Sequence, residues 1–414
     1  MVQKMRKMKD SGIEWIGEIP EGWTKNKVIR LFDTIGSGTT PKNITSDFPV
    51  VNWIQSGDIT GSFMPACKNV ISANLLSQYS ALKVYPAPFI IIAMYGASVG
   101  NASISLIDGC VNQACCVLSS PSCNVHYAFY VIKSAQSYLV RKAVGGGQPN
   151  ISQETIKQLW LPIPPLSTQD IIIRNLDATC SKIDDLLISV RSSIEEYKKL
   201  KQAVITQVVA TQQCSHIKLK YLMNVIVDCP HETPTYSFTG NYYVIRTADQ
   251  ALASLRRDED MYRLDASEYK KRTRRLTLDK DDIVYGREGE RWGLACIVPE
   301  SNKYCLGQRI MQFRCNTKFL YPKYAMYALN SEPAYLQGVA DTIGSTSPHV
   351  NISTICNYLL PVPALTEQKE IADYLDAKCA EIDRLIAKKE QLVKELESYK
   401  KSLIYEVVTG KREV

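Results

Sequence analysis

The sequence predicts two mixed α/β (α+β) domains separated by a long antiparallel two-helix coiled coil, with an internal pseudo-twofold repeat. Three observations support this prediction. Residues 162–211 align with 361–410 at a constant offset of 199 without a gap, and both copies repeat apolar residues at alternating spacings of four and three. The stretches that precede the two copies contain short β-branched runs between turn residues, which is typical of strands joined by loops.

Each repeated segment is predicted to form one long helix with a heptad seam. The matching lysines Lys201 and Lys400, together with Lys389, interrupt this seam. Such lysines either fix the register of the helix pair or extend their amines to water. Since the second helix starts at the second domain, we expect it to run back antiparallel along the first, with one domain at each end of the pair. The predicted seam residues are Leu176, Ile183, Leu187, Val190, Ile194, Leu375, Ile382, Ile386, Val393 and Leu396.

The repeat divides the chain into five predicted segments. They are an N-terminal arm (1–23), a first domain (24–161), a first spacer helix (162–215), a second domain (216–360) and a second spacer helix (361–414). The two domains resemble each other faintly, and we predict corresponding helices near 126–142 and 322–338. The two spacer helices are similar in sequence, whereas the two domains that they carry have diverged. This contrast indicates a protein that recognises two different targets at once.

Composition excludes several classes of protein. No apolar stretch approaches the roughly 20 residues that cross a bilayer, so we expect no membrane association. The 13 cysteines include no C-x-x-C pair and do not cluster with the four histidines, which argues against a zinc site. Free, buried thiols are typical of a reducing cytoplasm, where we expect this protein to act.

The basic residues are unevenly distributed. Net charge is +7, which is compatible with a polyanionic partner. Eight arginines and lysines crowd the stretch between positions 256 and 275. This stretch is interpreted either as a footprint for phosphate groups or as a solvated loop.

The residues identified so far resemble the specificity subunit of Type I restriction-modification systems. The opening KDSGIEWIGEIPEGW, from Lys9 to Trp23, is very similar to the usual start of that family. Three further stretches resemble its target recognition domains, and the second domain departs from the glycine-rich first loop, with Cys229–Pro234 in its place. The three stretches are Gly38–Pro41 followed by Trp53-Ile54 and Gly57–Ile59, Ala93–Gly100, and Gly145–Ser152.

The resemblance implies that each recognition domain reads one half of a split, asymmetric target in double-stranded DNA. It also implies two copies of an adenine methyltransferase subunit as partners, and restriction subunits that hydrolyse ATP and cut DNA. No cofactor is expected in this chain, because S-adenosylmethionine, ATP and Mg²⁺ would serve the partner subunits. The residues predicted to contact DNA are Thr39, Thr40, Lys42, Asn43, Ser98, Asn101, Lys271, Arg272, Arg274, Arg287, Arg291, Gln308 and Arg309.

Catalytic motifs find little support in this sequence. The glycines 145–147 lack the lysine of a phosphate-binding P-loop. The Glu367–Lys369 stretch mimics a nuclease E-x-K, but its repeat partner is Thr168–Asp170, so helix capping explains it better. We therefore predict no catalytic residues. The main alternative is a coiled-coil scaffold or adaptor that binds only proteins.

Overall fold

The computed structural model describes residues 6–42, 44–145, 149–342 and 348–414. The chain forms two compact units. Unit 1 comprises Met1–Ser189 with Leu392–Val414, and unit 2 comprises Val190–Gln391. Each unit therefore contains one of the two divergent domains and part of each long helix.

Unit 1 contains a five-stranded sheet in the order β4-β11-β8-β9-β6, a three-stranded sheet β10-β5-β7, and the pairs β1-β2 and β3-β12. Its strands are Met8–Ile13 (β1), Gly17–Pro20 (β2), Thr24–Lys27 (β3), Phe32–Gly36 (β4), Val50–Ile54 (β5), Phe63–Met64 (β6), Val70–Ser72 (β7), Phe89–Ala93 (β8), Ala102–Ser105 (β9), Cys110–Val111 (β10), Cys115–Pro121 (β11) and Trp160–Ile163 (β12). Its own helices are Val28–Leu31 (α1), Asn74–Gln78 (α2), Val125–Ser134 (α3), Gln136–Arg141 (α4) and Gln153–Lys157 (α5).

The central strand β8 shows why this sheet forms. All five of its residues are buried, and successive side chains of a strand point to opposite faces. Ile90 and Ile92 accordingly pack in the core that contains helix α3. Phe89, Ile91 and Ala93 pack in a second core on the other face. Burial on both faces explains why the run is continuously apolar instead of alternating with polar residues.

Unit 2 repeats this architecture with a four-stranded sheet β14-β22-β19-β20, a three-stranded sheet β18-β15-β21, and the pairs β13-β23 and β16-β17. The long helix Leu166–Ala210 (α6) begins in unit 1 and ends in unit 2. Its strands are His216–Lys218 (β13), Met223–Asp228 (β14), Tyr242–Ile245 (β15), Gln250–Ala251 (β16), Ser254–Leu255 (β17), Arg263–Leu264 (β18), Ile283–Gly286 (β19), Ala295–Ile297 (β20), Tyr304–Leu306 (β21), Ile310–Cys315 (β22) and Leu359–Pro361 (β23). Its helices are Leu219–Leu222 (α7), Ala266–Arg272 (α8), Pro322–Leu329 (α9), Glu332–Val339 (α10), Ile352–Cys356 (α11) and the long Leu365–Val408 (α12).

The mixed α/β class and the two long helices are thus confirmed. Each helix predicted near 126–142 and 322–338 is, however, two shorter helices, α3 with α4 and α9 with α10. In the second case Pro333 lies in the first turn of α10. A proline there fits a new helix start, because it lacks the amide that would continue the α9 ladder.

Within each unit the long helices run antiparallel. In unit 1 the Tyr127 hydroxyl donates to the carbonyls of Pro162, just before α6, and of Val408, at the end of α12. Further along the pair, Lys400 binds Asp184. In unit 2 Lys201 binds Asp383, and the amine of Lys389 lies over the ring of Tyr197.

The predicted seam residues lie on the inner side of these helices to different depths. Leu176 and Leu375 are fully buried. The residues Ile183, Leu187, Ile194 and Ile382 are buried, whereas Val190, Ile386, Val393 and Leu396 are half-buried. Near the C-terminal end of α6 the seam widens, since Ile205 and Val209 are buried beside the half-buried Val204 and Val208.

Candidate nucleic-acid interface

In unit 1, four loops meet at one edge of the five-stranded sheet. We call residues 37–42, 94–101, 112–114 and 144–145 with 149–150 loop cluster 1. Backbone hydrogen bonds join three of the loops: Met94 N donates to Ala114 O at 2.8 Å, and Gly96 N donates to Pro149 O at 3.0 Å. Residues 37–42 are joined to them through side chains, as the Thr40 hydroxyl donates to the Gln113 side chain. Gly96 has φ +73°, a left-handed conformation that glycine adopts without a steric cost. The four loops therefore form one connected rim on the sheet.

Unit 2 builds the same frame from different residues. Loop cluster 2 comprises 229–236, 287–294, 307–309 and 348–350. Arg287 N donates to Arg309 O at 2.9 Å, and Gly289 N donates to Pro348 O at 2.8 Å. Gly289 has φ +83°, like its counterpart Gly96. Two domains with little sequence in common thus hold variable side chains on one shared backbone arrangement.

The residues predicted in the first domain fall mostly in loop cluster 1. Thr39 is half-buried, and the exposed Thr40 donates to the Gln113 side chain at 2.6 Å. Lys42 is exposed, and its backbone amide donates to the Tyr79 hydroxyl at 3.2 Å.

The other first-domain predictions are less exposed or undescribed. Ser98 is half-buried, and its carbonyl accepts from the Asn101 amide. The Asn101 side chain is a hydrogen-bond partner of Gln136 on α4, so it braces the loop against a helix. Asn43 lies outside the described residues.

Four of the residues predicted in the second domain are exposed cations. Lys271 forms an ion pair with Glu232 at 2.8 Å, which lowers the pKa of that carboxyl group. Arg291 donates to the carbonyls of Ala248 and Gln250. Arg274 and Arg309 are exposed, and within the described ranges their side chains have no hydrogen-bond or ion-pair partner. These last two are the cations most available to an anionic ligand.

Arg309 also has an unusual backbone. Its φ is +68°, which is uncommon for a residue with a side chain. Its neighbour Gln308 is half-buried and approaches the carbonyl of His231 at 3.5 Å. Strained positions held in place by surrounding structure are typical of binding sites. The hydrogen bond from Arg287 N to Arg309 O holds this turn, which carries both side chains, against the neighbouring loop.

The positions of Arg272 and Arg287 argue against the DNA contacts predicted for them. Arg272 is 7% exposed, and its guanidinium donates to the backbone carbonyls of Leu306 and Glu232. Arg287 is 8% exposed and forms ion pairs with Asp228 and Glu288. The guanidinium of Arg272 donates to carbonyls of two loops, and that of Arg287 is paired with two carboxylates, so both side chains hold loop cluster 2 together from beneath.

The basic stretch 256–275 likewise divides into two parts. Arg256 and Arg257 lie near carboxylates, at 3.8 Å from Asp249 and 3.3 Å from Glu259. The exposed end of the stretch, near Arg274, borders loop cluster 2. Two further exposed residues are not among the predicted DNA contacts: Arg275 lies beside Arg274, and Tyr95 is 44% exposed in loop cluster 1. Position in the sequence could have identified both residues, because Arg275 directly follows Arg274 and Tyr95 lies within the stretch Ala93–Gly100.

The described residues contain no group of three or more His, Cys, Asp or Glu side chains that could hold a metal ion. Among the helices described, none is both long and apolar enough to cross a membrane.

Glu367 accepts the backbone amide of Ala364 at 3.0 Å, and Gln368 is fully buried. The stretch that mimics a nuclease motif therefore caps a helix.

Comparison with known proteins places this architecture in a family. The chain matches the Type I restriction modification DNA specificity domain over residues 20–196 and again over 229–396. It is 23% identical over 305 residues to the Type I restriction enzyme MjaVIII specificity subunit of Methanocaldococcus jannaschii, covering 69% of each chain. It is 29% identical over 132 residues to the Type I restriction enzyme EcoBI specificity subunit of Escherichia coli, covering 32% of this chain and 27% of that protein.

The fold is also found among solved structures. One similar chain comes from a study of complex assembly and conformational transition in the type I R-M system. Its TM-score to this chain is 0.70 at 15% identity, and the match covers 94% of this chain and 98% of that one. The family match extends over more than half of the sequence and occurs once in each half. This chain therefore belongs to the family of Type I restriction-modification DNA specificity subunits.

Proposed function

We propose that loop cluster 1 and loop cluster 2 each read one half of a bipartite, asymmetric DNA target. The observation that supports this most strongly is that one backbone frame carries two different sets of side chains. Loop cluster 1 presents mainly hydroxyl and amide groups, such as Thr40 and Gln113. Loop cluster 2 presents guanidinium groups, such as Arg309. Arginine donates bidentately to guanine, while amides and hydroxyls suit other base edges, so different half-sites follow.

We further propose that the chain acts in the cytoplasm without catalytic residues of its own. Two adenine methyltransferase subunits and restriction subunits would supply the chemistry, and S-adenosylmethionine, ATP and Mg²⁺ would bind to those partners. The restriction enzyme specificity subunits to which this chain is similar support this assignment. With a net charge of only +7, the chain by itself is expected to bind DNA weakly, because affinity for duplex DNA depends on many phosphate contacts.

The test is co-expression with the methyltransferase subunit proposed as the partner of this chain, followed by methylome sequencing and DNA-binding measurements at several salt concentrations. We expect one methylated motif with two specified halves. A protein-only scaffold, the alternative function, predicts no methylated motif that depends on this chain and no retention of DNA. Either result for the assembled complex would overturn the proposal.

A matched pair of variants refines this test. Arg309→Gln removes an exposed cation from one end of β22, and Lys318→Gln removes an exposed cation beyond its other end. If Arg309 contacts a phosphate, the slope of log affinity against log salt falls by about one in the first variant. If it reads a base, discrimination at one position is lost instead. Lys318→Gln is expected to change neither.

A further inference from the structure

Arg272 has an environment unlike that of the other arginines in the basic stretch. It ends helix α8, and its side chain points inward beneath loop cluster 2. Nε and Nη2 donate to Leu306 O at 3.0 and 2.9 Å, and Nη1 donates to Glu232 O at 2.9 Å. Nη2 also lies 3.4 Å from Pro230 O and from Gly307 O. One guanidinium thus joins the loop that follows β14 to the turn that carries Gln308 and Arg309.

The corresponding place in unit 1 needs no such side chain. Leu306 pairs with Ile245 in parallel register, as Val111 pairs with Ile54, so Leu306 and Val111 are equivalent. In unit 1 the carbonyl of Val111 is covered directly by Gly38, where a Cβ atom would overlap the carbonyl oxygen. The glycine-rich loop therefore packs backbone against backbone, which only glycine permits.

The loop of unit 2 cannot pack in that way. Its sequence Cys229-Pro230-His231 lacks glycine. The guanidinium of Arg272 lies between this loop and strand β21, and it donates to Leu306 O, the equivalent of the Val111 carbonyl that Gly38 covers in unit 1. Arginine suits the task because its planar group carries five donors in a fixed fork, whereas lysine has a single ammonium.

We infer that Arg272 is the positioning residue of loop cluster 2. It replaces the glycine packing of loop cluster 1 and fixes the height and angle at which Gln308 and Arg309 are presented. This inference rests on the proposed function for its consequence in DNA recognition. The loop-ordering role can be measured without DNA, so the two can fail separately.

The first experiment compares hydrogen exchange in the full chain and in the Arg272→Met variant, which keeps similar length and loses the donors. We expect amides of residues 229–235 and 305–310 to exchange at least about tenfold faster, since several hydrogen bonds to a charged group are removed. Loop cluster 1 provides the internal reference. The control Lys270→Met alters an exposed residue of the same helix, and exchange is expected to stay unchanged. Unchanged exchange in Arg272→Met overturns the inference.

If Arg272→Met unfolds unit 2, exchange in β19 and β22 rises as well, and Arg272→Lys then decides. That variant keeps the charge but reaches fewer carbonyls, so we expect faster exchange confined to the two loops. Protection equal to the original in Arg272→Lys would show that charge alone suffices and would refute the positioning role.

The second experiment uses the complex assembled with methyltransferase subunits. Arg272→Lys is expected to make one half of the methylated motif degenerate and to leave the other half intact, because Arg272 acts only on loop cluster 2. Loss of both halves together, or no change in either, counts against the inference. A wild-type complex that methylates no specific motif would refute the proposed function instead, and the exchange experiment would still decide the role of Arg272.

Discussion

Lys201 and Asp383 form an ion pair on the inner side of the long helices of unit 2, with Nζ 2.8 Å from Oδ2. The amine also donates to Leu252 O at 2.9 Å. The internal repeat reproduces this pair with its roles exchanged. Lys400, which matches Lys201 by the offset of 199, pairs in unit 1 with Asp184, which matches Asp383. The lysines that interrupt the seam therefore carry specific partners, which favours a role in fixing helix register.

The two pairs differ in burial, which yields a first prediction. The Lys201 side chain is 6% exposed and the Lys400 side chain 19% exposed. Asp383→Ala leaves a buried ammonium without a countercharge, so we expect it to lower the free energy of unfolding by about 3 kcal/mol. The matched change Asp184→Ala is expected to cost about 1 kcal/mol. Urea denaturation of both variants measures this, and equal losses would contradict it.

The second prediction concerns the seam. Leu187 is 7% exposed, whereas its neighbour Leu186 is 53% exposed on the same helix. Leu187→Asp places a charge among apolar side chains, and we expect it to lower the free energy of unfolding by about 4 kcal/mol. Leu186→Asp is expected to change stability by less than about 0.5 kcal/mol, as surface substitutions usually do. Thermal melting followed by circular dichroism distinguishes them, and similar melting temperatures would show that α6 does not pack through Leu187.

How far the sequence predicts this structure depends on the range of the interactions. The long helices are predicted by apolar residues that recur at short, regular spacings in the sequence. The central strand β8 is predicted by five consecutive apolar residues. The sequence does not predict that Lys201 pairs with Asp383, since the two residues are distant in the chain and only the helix register brings them near. The sequence also does not predict that Arg272 is buried while Arg274 is exposed. The two residues are two positions apart, and Arg272 lies beneath the loops whereas Arg274 lies in solvent, because helix α8 ends between them.

Thiol chemistry gives the third prediction. Burial raises the pKa of Cys115, Cys116 and Cys296 to about 12. Their thiolate fraction at pH 8 is therefore very small, and a thiol reagent reacts only with the thiolate. We expect the native protein to be labelled at the half-buried Cys67, Cys214 and Cys356, and at the other cysteines only after unfolding. Rapid labelling of a buried cysteine, identified by mass spectrometry, would contradict this.

The same thiols give the protein a predicted dependence on alkaline pH. Folding raises their pKa values from an ordinary 9.0 to about 12. The unfolded chain therefore releases protons first, and the stability from these neutral thiols is present in full below pH 9. It is lost progressively as pH rises from 9 towards 12. Urea midpoints measured at pH 8 and pH 10 are expected to fall, and a midpoint that rises would show that other groups dominate.

The last prediction follows from the two loop clusters having one frame and different side chains. Replacing residues 24–161 by the same segment of a relative exchanges loop cluster 1 and leaves loop cluster 2 untouched. The strands β3 and β12 bring the two ends of the exchanged segment together, with Trp160 opposite Lys27 and Leu161 opposite Asn26 within it. The segment is therefore expected to fold as it does in its own protein.

In complex with methyltransferase subunits, this chimera is expected to methylate a motif in which one half is new and the other half is that of the parent. The reciprocal exchange of residues 216–360, whose ends pair through Ile217 opposite Leu360 and Lys218 opposite Leu359, is the matched control and is expected to alter the opposite half. Methylome sequencing of both chimeras reports the two halves independently. If one exchange changed both halves, or if neither exchange changed any, base recognition would not belong to separate loop clusters, since each cluster lies wholly within the segment that its exchange replaces.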